Sequence, residues 1–179
     1  MFFSNTIFQG AVKGISTSTI TFVIGAVNFG TSLVGLTLIS KFGRKTLMLF
    51  FNLAMAIDLL LVGYFSLEGD GIAMLTCLML FLAFFEFSSG PIVWLYMAEI
   101  MTDKAQSVAT VLNWCMNLII SAVAPPLVKK IGTDNVGWIF VTTGCFTLCG
   151  TLFIFAFMKE TMGKTPQEIE QLFYTETNK

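Results

Sequence analysis

Glu86 lies in Phe84-Phe85-Glu86-Phe87-Ser88-Ser89-Gly90-Pro91-Ile92-Val93-Trp94, inside an apolar run long enough to cross a bilayer. A carboxylate at the middle of a membrane-crossing helix costs on the order of 3 kcal/mol on insertion scales, so it normally faces a polar cavity instead of lipid. Just beyond it, Gly90-Pro91 interrupts the same helix. Proline lacks the N–H that would bond the Phe87 carbonyl, and its ring crowds that carbonyl. Irregular backbone at membrane depth persists only where it is buried in protein or lines a water-filled space. Acid and break together imply a path for a polar solute.

Other polar groups lie in similarly apolar surroundings. Asn113 and Asn117 are one helical turn apart, about 40° around the axis, so both amides can project into one cavity or bond neighbouring helices. Asn28 adds an amide from Gly25-Ala26-Val27-Asn28-Phe29-Gly30. Trp94 follows the break and does not end a span, which argues against an interfacial belt role. Asp58, mid-span in Met55-Ala56-Ile57-Asp58-Leu59-Leu60, has three readings: pairing with a polar group of the bundle, facing the interior in its neutral form, or proton coupling. Pairing ranks first. The chain has no histidine, which removes His-based triads and His-containing metal sites. Cys77, Cys115, Cys145 and Cys149 read as small packing residues, so neither metal, disulfide nor cofactor is expected.

The elements that must position these groups are membrane helices. The chain is 55% hydrophobic and 12% charged, with mean hydropathy +0.81, whereas a soluble domain carries about 25% charged residues. Its 10 basic and 11 acidic residues offer no electrostatic basis for binding nucleic acid. Thr17 to Ser40, Thr46 to Ser66, Ile72 to Ile100, Ser107 to Leu127 and Val136 to Met158 read as about five spans, after an N-terminal helix remnant at residues 1–9. The third is longer than a bilayer requires, so it is expected to break at Gly90-Pro91, and Pro125-Pro126 should kink or end the fourth.

Basic residues near the span ends set an orientation. Lys41, Arg44, Lys45, Lys104, Lys159 and Lys164 share one side, and fewer lie opposite, which places that side and the tail in the cytosol. Within the tail, residues 159–179, Thr165 as N-cap, Pro166 at the first helical position and Glu168 closing a capping box predict a short amphipathic helix bearing Ile169, Leu172 and Phe173 on one face.

Several stretches together resemble the sugar porter family of the major facilitator superfamily, which includes the facilitative glucose transporters. Ser40-Lys41-Phe42-Gly43-Arg44-Lys45 is similar to its acidic-basic-x-Gly-Arg-basic loop. Phe85-Glu86, Gly90-Pro91-Ile92-Val93-Trp94 and Ala98-Glu99 resemble its tenth helix, and Asn113-Trp114 with Asn117 its eleventh. Lys159-Glu160-Thr161-Met162-Gly163-Lys164-Thr165 resembles its Pro-Glu-Thr-Lys-Gly signature. The resemblance implies the C-terminal six-helix domain of a twelve-helix fold, beginning within helix seven and lacking the N-terminal six-helix domain.

The resemblance further implies transport of a monosaccharide, with or without a coupled proton, by alternating access in a plasma membrane. One half of the cleft would be inactive alone. Sugar hydroxyls are each donor and acceptor, so a site needs amides, carboxylates and an aromatic face. Asn28, Phe85, Glu86, Trp94, Asn113 and Asn117 match the family's sugar-site positions, and Arg44, Lys45 and Glu99 match members of its cytoplasmic salt-bridge gate. Ser40 replaces the loop's acid, Thr102 stands where arginine is usual, and Lys159 replaces the signature's proline. Remaining alternatives are a transporter of another small polar solute, a short protein that pairs with or regulates a half-transporter, and a membrane enzyme using Asp58 and Glu86.

Overall fold

A computed structural model of the protein describes residues 17–132 and 135–174; the expected remnant at 1–9 and the end of the tail lie outside them. Among the described residues the fold is all-helical: α1 (Thr17–Lys41), α2 (Arg44–Glu68), α3 (Gly71–Phe87), α4 (Ser89–Ile100), α5 (Asp103–Ile131), α6 (Gly137–Phe157) and α7 (Pro166–Tyr174). Four stretches, Arg44–Glu68, Gly71–Ile100, Asp103–Val128 and Gly137–Phe157, are long and apolar enough to span a bilayer. α1, at 25 residues or about 37 Å, has the length of a fifth.

The long third span is two helices in series. Its interruption falls at Ser88 (φ −135°, ψ −86°), earlier than the expected Gly90-Pro91. Pro91 sits instead in the first turn of α4, where its missing N–H leaves no further gap. The proline ring cannot stack over the Phe87 carbonyl, so the chain turns just before that clash and restarts. Ser88 bridges the turn: its N–H donates to the Phe85 carbonyl at 3.2 Å and its hydroxyl to the Phe84 carbonyl at 3.0 Å. The first α4 bond follows, from Ile92 N–H to the Ser88 carbonyl at 2.9 Å. Ser88 and Ile92 have no exposed surface.

Pro125-Pro126 does not end the fourth span. α5 neither ends there nor stops at Leu127, but runs through both prolines to Ile131 and closes at Gly132. The prolines remove N–H donors from the carbonyls of Ser121 and Ala122, and the intact N–H groups of the following residues let the helix continue.

α2 is the central helix, packed most extensively on α6 and next on α3, while α1 lies on α3 and α5 touches chiefly α4. Lipid tails are as apolar as the side chains they meet, so helices associate here through close van der Waals approach. A Cβ on Gly63 would stand 2.9 Å from the Gly137 carbonyl oxygen, and one on Gly137 2.6 Å from that of Gly63. Ala56 and Val62 on α2 are wholly covered. Along the same interface Gly144 would bring a Cβ to 3.2 Å from the Ala56 carbonyl oxygen.

The tail helix α7 is fixed at both ends. Thr165 N–H donates to the Glu168 carboxylate at 2.7 Å and Glu168 N–H returns a bond to the Thr165 hydroxyl at 3.4 Å. At the other end, Lys159 Nζ donates to the Leu172 carbonyl at 2.6 Å and lies 5.2 Å from the Phe173 ring centre. Ile169 is buried, and α7 rests against α4.

Gly63→Val should therefore lower the thermal midpoint in detergent by the equivalent of about 1–3 kcal/mol through overpacking, whereas Gly150→Ala, which meets open space, should leave it unchanged. The tail carries a pH prediction. Bonds from Thr165 N–H and then its hydroxyl hold the Glu168 carboxyl below its ordinary 4.5. Because the folded form favours the ionised acid, this contribution is complete above that ordinary value and is lost as pH falls through the lower folded one. A nitroxide at Glu170 should gain mobility as pH drops from about 6 to about 3; in Glu168→Ala it should be mobile throughout.

Candidate functional site

The interruption at Ser88 opens a cavity of about 730 Å³. Ser32 and Leu36 reach it from α1, Phe85 and Glu86 from the last turn of α3, Ser89, Gly90, Pro91, Val93 and Trp94 from α4, and Asn113 and Asn117 from α5. Several helices thus meet where the third span is broken. Gly90 lets the chain fold back closely over the preceding turn, since a Cβ there would lie 3.2 Å from the Phe85 carbonyl oxygen.

Of the six expected site residues, Phe85, Glu86, Trp94, Asn113 and Asn117 line this cavity, while Asn28 is not among its lining residues. Asn28 stands behind Glu86: its Nδ2 donates to Glu86 Oε1 at 2.6 Å. Ser32 Oγ donates to Glu86 Oε2 at 2.8 Å. Each carboxylate oxygen therefore has one neutral donor and retains acceptor capacity. No Lys or Arg lines the cavity among the described residues.

On α5, Asn117 Nδ2 donates to the Asn113 backbone carbonyl at 2.9 Å. That bond stays within one helix and leaves the Asn117 amide oxygen to the cavity. Trp94 is 39% and Phe85 40% exposed, enough bare ring to cover the C–H face of a ligand. Such an arrangement combines amide donors and acceptors, a carboxylate and two aromatic surfaces.

Sequence reading missed Ser32 and Ser89. The signal for Ser32 was its position one turn after Asn28 on the same face of α1. Ser89 Oγ donates to Asn52 Oδ1 at 2.9 Å and so ties the start of α4 to α2; nothing in the sequence paired them. Asp58 is buried, at 4% exposure, beside Cys77, with its Oδ2 lacking a hydrogen-bond partner among the described residues. It does not line the cavity, so the structure does not unite it with Glu86 in one site.

The second constellation lies at the tail end of the bundle. Arg44 Nη2 and Glu99 Oε1 form an ion pair at 2.9 Å, and Thr161 Oγ1 donates to Glu99 Oε2 at 2.6 Å. Glu160 occupies the N-terminus of α2, accepting from Arg44 N–H at 2.8 Å and Lys45 N–H at 3.0 Å. Gly43 has no side chain to cap that helix, so Glu160 supplies both the missing acceptor and a charge suited to the helix dipole. Lys45 does not join Glu99: its Nζ donates to the Phe155 carbonyl in the last turn of α6 at 3.0 Å. Ser40 also stays apart, its hydroxyl bonded to the Thr37 carbonyl of its own helix at 2.8 Å. In a double-mutant cycle of Arg44→Ala and Glu99→Ala read by thermal unfolding, the half-buried pair should show coupling of about 1–2 kcal/mol; additive losses would contradict the pairing.

Comparison with known proteins places this geometry. A family model described as "Sugar (and other) transporter" matches residues 1–173. The facilitated trehalose transporter Tret1 of Drosophila erecta is 32% identical over 96% of the chain, which spans 21% of that relative. Tret1 of Anopheles gambiae is also 32% identical, with 23% of its length covered. Among solved structures, the proton:xylose symporter XylE bound to 6-bromo-6-deoxy-D-glucose superimposes with TM-score 0.85 at 28% identity, covering 96% of this chain and 38% of that one. The inward-open XylE of E. coli gives 0.75 at the same identity, with 94% and 40% covered. The chain thus spans about a fifth of the curated relatives and under half of the solved transporter. On the family match over nearly its whole length, the chain belongs to the sugar transporter family of the major facilitator superfamily, a family of multi-pass membrane transporters.

Proposed function

We propose that the cavity at the Ser88 break binds a monosaccharide and that the protein moves it across the plasma membrane by alternating access, with this chain forming one wall of the site. The observation that carries this reading is the convergence of Glu86, Asn113, Asn117 and Trp94, from three helical elements, on one open cavity. Amides and a carboxylate match hydroxyls that both donate and accept, and Trp94 offers an apolar face to the ring's C–H side. The open side of the cavity is met by a second helical domain, and rocking of that domain against this one exposes the site to each side in turn.

In the same reading the Arg44–Glu99–Thr161 cluster is a gate on the cytoplasmic side, where the basic span ends and the tail also lie. Its bonds are made in the closed arrangement and break as that side opens, so they bias the conformational balance. XylE is described as a proton:xylose symporter, which supports a pentose or hexose as cargo. A second reading, a disaccharide, is favoured by the trehalose transporters among the relatives.

Expressed from its full reading frame in cells lacking hexose uptake, the protein should take up labelled glucose saturably. Glu86→Ala, Trp94→Ala and Asn113→Ala should each abolish saturable uptake, a loss of more than about 10²-fold for a site with several such contacts removed from register, while surface expression is retained. Trehalose uptake without glucose uptake would select the disaccharide reading. Unchanged uptake in all three variants would refute the site.

A further inference from the structure

We propose that Ser32 is a positioning residue for the sugar site, acting with Gly35 and Asn28 as a three-point seat on α1 that fixes the Glu86 carboxylate against the cavity. This rests on the preceding reading of the cavity as a sugar site and names a determinant within it.

The direction of the Ser32 hydroxyl carries the inference. Serine and threonine in membrane helices satisfy their hydroxyls by default on a carbonyl of the preceding turn. At three other hydroxyls of α1 that default holds: Thr31 donates to the Asn28 carbonyl at 3.1 Å, Thr37 to that of Val34 at 2.7 Å and Ser40 to that of Thr37 at 2.8 Å. Ser32 instead leaves its helix and donates to Glu86 Oε2 on α3 at 2.8 Å. A local bond has been exchanged for a bond to a carboxylate, which is the stronger kind.

The spacing on α1 extends the contact. Asn28, Ser32 and Gly35 follow i, i+4, i+7 and share one face. Asn28 takes Oε1 at 2.6 Å, Ser32 takes Oε2, and at Gly35 the absence of a side chain admits the backbone of α3, where a Cβ would stand 2.8 Å from the Glu86 carbonyl oxygen. One helix face thus holds the main chain and both carboxylate oxygens of a single residue. Without that seat, a glutamate just before a helix break would sample its three side-chain torsions. Held by it, the carboxylate keeps its remaining lone pairs in fixed directions toward the cavity, and ligand hydroxyls meet acceptors already oriented.

Ser32 does not need to touch the sugar for this role, so removing it should weaken binding more than turnover. In proteoliposomes of the protein made from its full reading frame, Ser32→Ala should raise KM for the transported sugar about tenfold and leave kcat within about twofold, the size expected for one lost charge-assisted bond. Ser32→Thr, which keeps the hydroxyl, should restore KM. An unchanged KM in Ser32→Ala, or a rise that Ser32→Thr fails to reverse, would overturn the proposal while leaving the cavity's assignment intact. The seat is also readable without sugar: thermal shifts of Ser32→Ala and Glu86→Gln should be non-additive in the double variant. Additive shifts would overturn the seat even if glucose is transported. Coupled shifts in a protein that transports neither glucose nor trehalose would uphold the seat and remove the sugar reading instead.

Discussion

A single forbidden hydrogen bond organises this structure. Pro91 cannot donate to the Phe87 carbonyl, and at membrane depth no water is at hand to take the donor's place unless protein or a cavity provides for it. The chain responds by turning at Ser88, burying that residue completely and closing the turn with its own N–H and hydroxyl. Ser89 then anchors the restarted helix to Asn52 on the central α2. The break is therefore stiff where it is packed and open where it faces the cavity. Glu86 on one side of it and Trp94 on the other reach the same space because the axis changes between them.

The tail end of the bundle uses its charges differently. Glu160 caps α2 and also accepts from Thr161 and Met162 N–H groups at 3.1 and 3.0 Å, so one carboxylate closes its own loop and a helix N-terminus together. Glu99 is divided between Arg44 and Thr161. Tyr96, on the same helix as Glu99 and Trp94, accepts from Lys159 N–H at 3.1 Å, and Lys159 in turn holds the end of α7. Short α4 thus carries an aromatic wall of the cavity at one end and the anchor of the polar cluster and tail at the other. A shift of this one helix would be felt at both.

Much of this was legible in the sequence because membrane helices announce themselves by length and composition, and because a carboxylate within an apolar run has few permitted surroundings. The capping residues of α7 were readable for the same local reason: Thr165 and Glu168 need only each other. What escaped depended on contacts between helices. Ser32 could be seen one turn from Asn28, but nothing local revealed that it would abandon its own backbone for Glu86. Lys45 follows Arg44 directly, and only the placement of α6 decides that its Nζ meets the Phe155 carbonyl. The break moved to Ser88 because a proline disturbs the turn before it, and the paired prolines of α5 left that helix continuous because later residues retain their donors.

At the centre stands the proposal that the Ser88 break presents a sugar site whose polar wall is Glu86, Asn113 and Asn117 and whose apolar wall is Trp94. A structure of the protein from its full reading frame with bound glucose tests it most directly. The expected result is the sugar in the cavity, its ring over Trp94 and its hydroxyls within about 3 Å of the two asparagines and Glu86. Glucose bound elsewhere, with this cavity unoccupied, would contradict it.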